Sequence, residues 1–235
     1  MNAVIVSPGP GGAHNWNPMA FHPGTGLVYL PVKDGSQFLH VPDAEWRPGI
    51  MSVIAEQPGR TLHTNPLFHG PLVPLLLTEL ASVAVGTARG ALDTYDEMLR
   101  NKKSPLPPFL PAFEAAHYQH HFGQAQGLID TAEAALLHLG DEYPKLGERA
   151  LAGTPPGPED QRRYQVVVQN ILELCWQAMD VMFRTSGASV ARRGSLLGRA
   201  YKNLAVIRTH ITLQGHVTAL NVGRLHFGLA PSSLL

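Results

Sequence analysis

The stretch FRTSGASVARRGSLLGRAYKNLAVIRTH, residues 183–210, gathers most of the groups in this sequence that can do chemistry. Ser186, Gly187, Ala188 and Ser189 form a run of small residues where a helix must break. Backbone N–H groups in such a turn can converge on a phosphate, and Arg192 or Arg193 can add charge-assisted contacts. The same run reads equally well as a helix-ending loop with a solvated basic pair.

A second cluster is HYQHH, with His117, His120 and His121. His117 and His121 are four apart and share a helix face. Glu114 is the one carboxylate near matching spacing, and no HExxH arrangement occurs, so no metal centre is expected. Glu79 interrupts an apolar run, where a partly buried carboxylate would need a structural hydrogen bond. Arg100, Lys102 and Lys103 close the first long helix, where cations favour the helix dipole. No GxSxG, GxxxxGK[ST] or Rossmann glycine pattern is present, and GPGG at residues 9–12 reads as a lead-in.

Helices must position these groups. A first helix is expected over Pro71–Lys103, with a seam of Leu76, Leu80, Val83, Thr87, Gly90, Ala91 and Thr94 at spacings of three and four. The prolines of SPLPPFLPAF forbid its continuation. A second helix spans Ala115–Leu139 and resumes near Pro144–Leu151. A third starts at Pro158, where Glu159 and Asp160 suit the N-terminal dipole, and runs to about Arg184. Its polar stripe of Gln169, Glu173, Gln177 and Asp180 lies opposite Val167, Ile171, Leu174, Ala178 and Met182. A fourth runs from about Leu196 to Phe227. The architecture implied is mainly α, an up-down-up-down four-helix bundle. Ahead of it, Pro18–Val32 reads as a β-hairpin turning at residues 23–26, and Phe38–Val41 as a third short strand. The expected divisions are 1–53 for the β fragment, 54–70 for a connector and 71–235 for the bundle.

Composition bounds the partners. Lysine plus arginine and aspartate plus glutamate number 18 each among 235 residues, so no net field favours nucleic acid or anionic lipid. A hydrophobic fraction of 44% supports a core. The single cysteine, Cys175, excludes an internal disulfide and fits a reducing compartment. The N-terminus shows no signal-peptide pattern, and the charge-free stretch at residues 61–78 contains three prolines and is too short for a membrane span. A cytoplasmic protein without a membrane segment is the expectation.

Two segments resemble known families. GGAHNWNPMAFHPGTGLVYLPV followed by FLHVPDAEWRPG, residues 11–51, resembles part of the pyrroloquinoline-quinone-dependent alcohol dehydrogenases, which are β-propellers. The resemblance would place Asn15 against the quinone with Trp16 beside it. That family's calcium ligands and catalytic aspartate come from other blades, so pyrroloquinoline quinone is not expected as a cofactor.

Residues 54–235 resemble the C-terminal helical domain of the acyl-CoA dehydrogenase superfamily, closest to its flavin-dependent two-component monooxygenase branch. LTELASVAVGTARGALDTYDEML and the 183–210 stretch carry the likeness. Leu197, Gly198 and Arg199, then Lys202 and Asn203, then His210, stand at the branch's motif positions; Gly198 and the Lys-Asn pair depart from its usual residues. The Tyr-Glu-Gly-like loop bearing the dehydrogenases' catalytic glutamate is missing, which favours the monooxygenase branch. The resemblance implies reduced FAD or FMN, supplied by a flavin reductase, and hydroxylation of an aromatic ring. It implies a homo-oligomer, dimer or tetramer, with flavin between subunits. Ser186, Gly187, Ser189, Arg192, Arg193 and Arg199 would hold the flavin. His210 would be catalytic, polarising or deprotonating a phenolic substrate, a task suited to imidazole. The family's N-terminal helical and middle β-domains have no counterpart in the segment. Two other readings therefore stand: a non-catalytic oligomerisation module, or a subunit that completes a flavin site with another chain.

Overall fold

Alanine sets how closely the helices approach. In α1 (Leu72–Asn101) the buried stripe is Leu77, Ala81, Ala84, Val85, Ala88, Ala91, Leu92, Tyr95 and Leu99. This corrects the expected seam: Leu76, Val83 and Gly90 face outward, and only Ala91 of that set is buried. Large apolar residues such as Leu76 and Val83 also fall on the outward side of α1, beside Glu79, Ser82, Asp93 and Glu97, and the narrow alanine face is the one that lets α2 and α3 pack near its backbone. Glu79 consequently lies exposed, outside the core.

The computed structural model describes residues 63–105, 107–210 and 213–232, together with Arg60 and four short strands nearer the N-terminus. The chain divides into two units, Met1–Ile50 and Met51–Leu235. In the first unit β1 (Val4–Val6) pairs antiparallel with β4 (Gln37–Leu39), with Ile5 opposite Phe38. Likewise β2 (Ala20–His22) pairs with β3 (Leu27–Tyr29), with Phe21 opposite Val28. The expected turn at 23–26 lies outside the described residues, as do Asn15 and Trp16.

The second unit is the helical bundle. After α1 come α2 (Ala116–Leu151), α3 (Pro158–Thr185), α4 (Leu196–Ile207) and α5 (Gly215–His226). Side-chain ties give the directions. Tyr143 on α2 donates to the Pro71 carbonyl at the start of α1 (3.1 Å), while Arg89 farther along α1 pairs with Asp130 (2.5 Å) and Glu133 of α2, so the two run antiparallel. Tyr164 at the start of α3 meets Thr78 (2.8 Å), and Thr185 at its end meets Tyr95 (2.7 Å), so α3 runs parallel to α1. Phe183 stacks on Tyr201, and Glu173 pairs with Arg208 (3.0 Å), which turns α4 back along α3. The order is up-down-up-down.

Two element boundaries differ from the expectation. α2 continues through Pro144 without interruption. The acceptor that proline leaves unused is the carbonyl of Gly140, an exposed residue where water can serve it. The fourth helix is two helices. Beyond Ile207 the N–H groups of Thr209 and His210 bond three residues back, to Val206 and Ile207 (3.0 and 3.1 Å), a tightened last turn. β-branched residues crowd the following sequence, THIT, and disfavour helix there. α1 alone among the described helices is long and apolar enough to cross a bilayer. The core helix of a bundle passes the same test, and ten residues of α1 are buried.

Candidate functional site: a basic cleft at the α3–α4 turn

The site begins where α3 ends. The hydroxyls of Thr185 and Ser186 donate back to the carbonyls of Val181 and Met182 (2.7 and 2.6 Å), closing the helix. Gly187 follows at φ 84°, a left-handed conformation that glycine adopts without steric cost. A 3-10 turn, Ala188–Ala191, carries buried Val190 inward, and Gly194 repeats the positive φ at 90°. Ser195 then caps α4, its hydroxyl accepting the Gly198 N–H at 3.1 Å. A Cβ at Gly198 would stand 2.3 Å from the Val190 carbonyl oxygen, so the start of α4 rests on the turn backbone to backbone.

That close approach leaves an open cleft of about 470 Å³. Arg192, Arg193 and Gly194 line one side; Gly198, Arg199 and Lys202 of α4 line the other. Phe183 and Tyr201 also line it, stacked with centroids 4.1 Å apart. The aromatic row continues to Trp176, 5.0 Å from Tyr201, and Arg208 lies 4.7 Å over the Trp176 ring. None of the four cleft cations has an ion pair among the described residues. Four exposed positive charges without carboxylates suit an anion with several oxygens, and guanidinium forks match phosphate geometry.

The structure brings Arg192, Arg193 and Arg199 together. Ser186, Gly187, Ser189 and His210 do not line the cleft. Ser186 is fully buried, and its carbonyl accepts from Lys102 Nζ at 2.8 Å. Ser189 is exposed on the turn. His210, expected within a helix, sits at the break between α4 and α5, half-buried, its carbonyl accepting from Leu213 N–H (2.9 Å) and Gln214 Nε2 (3.2 Å). Sequence reasoning left Lys202, Phe183 and Tyr201 out of the site. The signal for Lys202 was its spacing of three from Arg199, which places both on one helical face.

Other titratable groups are structural. Burial, with smaller effects from His120 and His117, lowers the pKa of His121, whose Nδ1 is buried without a hydrogen-bond partner. Burial pushes the Cys175 thiol up to about 12. Among the described residues no group of three His, Cys, Asp or Glu side chains is placed to hold a metal. A second, smaller concavity of about 330 Å³ lies between the start of α3 and α5. Arg162 lines it, its pKa lowered by burial and its guanidinium bonded to Gln165 at 3.0 Å.

Residues 79–215 match the family model described as acyl-CoA dehydrogenase, C-terminal domain. A pigment production hydroxylase from Rhodococcus sp. is 26% identical over 214 residues, covering 90% of this chain and 52% of that protein. XiaF from Streptomyces sp., solved with FADH2 and glycerol, superposes with a TM-score of 0.62 at 21% identity, covering 71% of this chain and 41% of XiaF. Dibenzothiophene monooxygenase (TdsC) from Paenibacillus sp., in complex with FMN and indole, gives 0.51 at 16% identity, covering 88% of this chain and 50% of TdsC. The chain thus spans about half the length of the relatives it matches. In addition, 27 residues are 70% identical to a quinohemoprotein alcohol dehydrogenase from Comamonas testosteroni, 4% of that protein's length. The fold of residues 79–215 and their family match agree, and the chain belongs to the acyl-CoA dehydrogenase family through its C-terminal domain.

Proposed function

We propose that this chain serves a flavin-dependent monooxygenase that hydroxylates an aromatic ring, using reduced FAD or FMN delivered by a separate reductase. The observation that carries the reading is the cleft of four cations, none with an ion pair among the described residues, at the α3–α4 turn, inside a domain whose relatives include a hydroxylase. The donor set fits a flavin phosphate: Arg192, Arg193 and Arg199 offer planar forks and Lys202 a point charge. Bound reduced flavin would supply the electrons for oxygen activation. The chain's own contribution is to bind and orient its phosphate end, with the Phe183–Tyr201 pair as an apolar wall. His210, half-buried beyond α4, is assigned to accept a proton from a phenolic substrate. No quinone chemistry is assigned to the N-terminal segment, since a propeller chamber requires its whole ring of blades.

Anaerobic titration with reduced FAD and reduced FMN tests the reading. Saturable micromolar binding, weakened in Arg193→Ala and Arg199→Ala, supports it; no binding at high protein concentration overturns it. His210→Ala should retain flavin binding and lose oxygen-dependent hydroxylation.

A second reading draws on the outward face of α1, where exposed Leu76 and Val83 share a direction with Gly86 and Gly90. This strip of small and apolar residues, interrupted by Glu79, suits a second copy of the chain or a chain that completes the flavin site. Light scattering at micromolar concentration decides it: a clean monomer counts against self-association.

A further inference from the structure

We infer that Lys102 is a positioning residue for the basic cleft, holding the α3–α4 turn in the shape that gathers its arginines. The inference rests on the flavin reading of that cleft. Lys102 stands just past the end of α1, in extended conformation. Its own backbone is fixed from behind: its carbonyl accepts the Ala112 N–H at 2.7 Å, and the Ser104 N–H donates to Leu110 at 2.7 Å. From this anchored base the ammonium crosses to another helix and donates to the Ser186 carbonyl at 2.8 Å.

Three features make that contact more than a surface tie. Ser186 is fully buried with the ammonium in place, and the charged donor stands where its carbonyl would otherwise need another partner. The contact lies at the C-terminal end of α3, where the helix dipole favours a cation, here supplied by a neighbour. Gly187, the next residue, holds a positive φ and lies so near that a Cβ there would be 3.3 Å from Lys102 Nζ. The ammonium therefore bears on a glycine at the entry to the turn, where the backbone has wide freedom to swing it. Downstream, Val190 bonds to Gly187 and its carbonyl meets Gly198, and Arg192 bonds to Ser189. Release Lys102 and the segment from Gly187 to Ser195 loses its fixed starting point, while the bundle core keeps its own packing.

The test compares wild type, Lys102→Met and Lys102→Arg by amide hydrogen exchange and by anaerobic titration with reduced FAD and FMN. In K102M, exchange at Val190, Arg192 and Ser195 should quicken by about tenfold, the scale of a lost hydrogen bond to a charged donor. Amides of Leu172 and Cys175 in mid-α3 should keep their rates, and flavin affinity should fall by about tenfold. K102R should restore most of both. Unchanged exchange at the three turn amides overturns the inference whatever flavin does, and so does faster exchange with unaltered affinity. If wild type binds no flavin, the flavin reading falls on that result alone, and exchange decides whether Lys102 shapes the turn.

Discussion

Gly198 and Val190 meet backbone to backbone: a methyl group on the glycine would overlap the valine carbonyl oxygen at 2.3 Å. The contact supplies a physical reason for a glycine at this position. The 3-10 turn is drawn against the first turn of α4, and no side chain fits between them.

Substitution Gly198→Ala should therefore push the turn away from α4. The expected cost is about 1–3 kcal/mol, the usual range for overpacking. Urea denaturation followed by circular dichroism measures it. A variant as stable as wild type would show that the turn moves aside freely.

Just before the turn, at the end of α3, Tyr95 donates to Thr185 Oγ1, which itself donates to the Val181 carbonyl. Tyr95 is fully buried. Tyr95→Phe keeps the ring and removes one hydrogen bond, for a loss of about 1 kcal/mol. Tyr95→Leu should lose more, because ring volume goes as well.

Acid should weaken the fold through His121. Burial depresses its folded pKa below the ordinary value near 6.5. The unfolded chain then takes up the proton first as pH falls, so stability is full above that value and declines as pH drops toward the folded pKa. Denaturation midpoints measured at pH 7.5 and pH 5 should fall farther apart in wild type than in His121→Gln. Equal slopes would remove His121 from the account.

Cys175 should be silent toward thiol reagents. It is fully buried, and its thiol is pushed up to about 12, so almost no thiolate exists at pH 8. A disulfide reagent should titrate one thiol per chain in denaturant and essentially none in minutes without it. Rapid reaction in the native state would mean that α3 opens locally.

The helical class was legible because proline and glycine punctuate the sequence so plainly. Pro158 does open α3, with Asp160 accepting the Gly157 N–H at 3.0 Å. The buried face of α1 was misread because the large residues Leu76 and Val83 lie outside it, and close packing selected the alanines instead. The break at Thr209 and His210 was missed because no proline or glycine announces it; β-branched crowding and the three-residue bonds of the last turn end the helix. For the site, basic residues near a small-residue break pointed to Arg192 and Arg193, and the family resemblance pointed to Arg199. Lys102 could not be found this way, since 84 residues separate it from the carbonyl it holds.

The two hydroxyl pairs that join α1 to α3, Thr78 with Tyr164 and Tyr95 with Thr185, lie near opposite ends of α3. Sliding α3 along its neighbour would break both at once and strand buried donors. α3 is thus pinned to α1 at two levels, and the arginine cleft begins just beyond the Thr185 pin, so the register set by these two pairs also sets where the cleft starts.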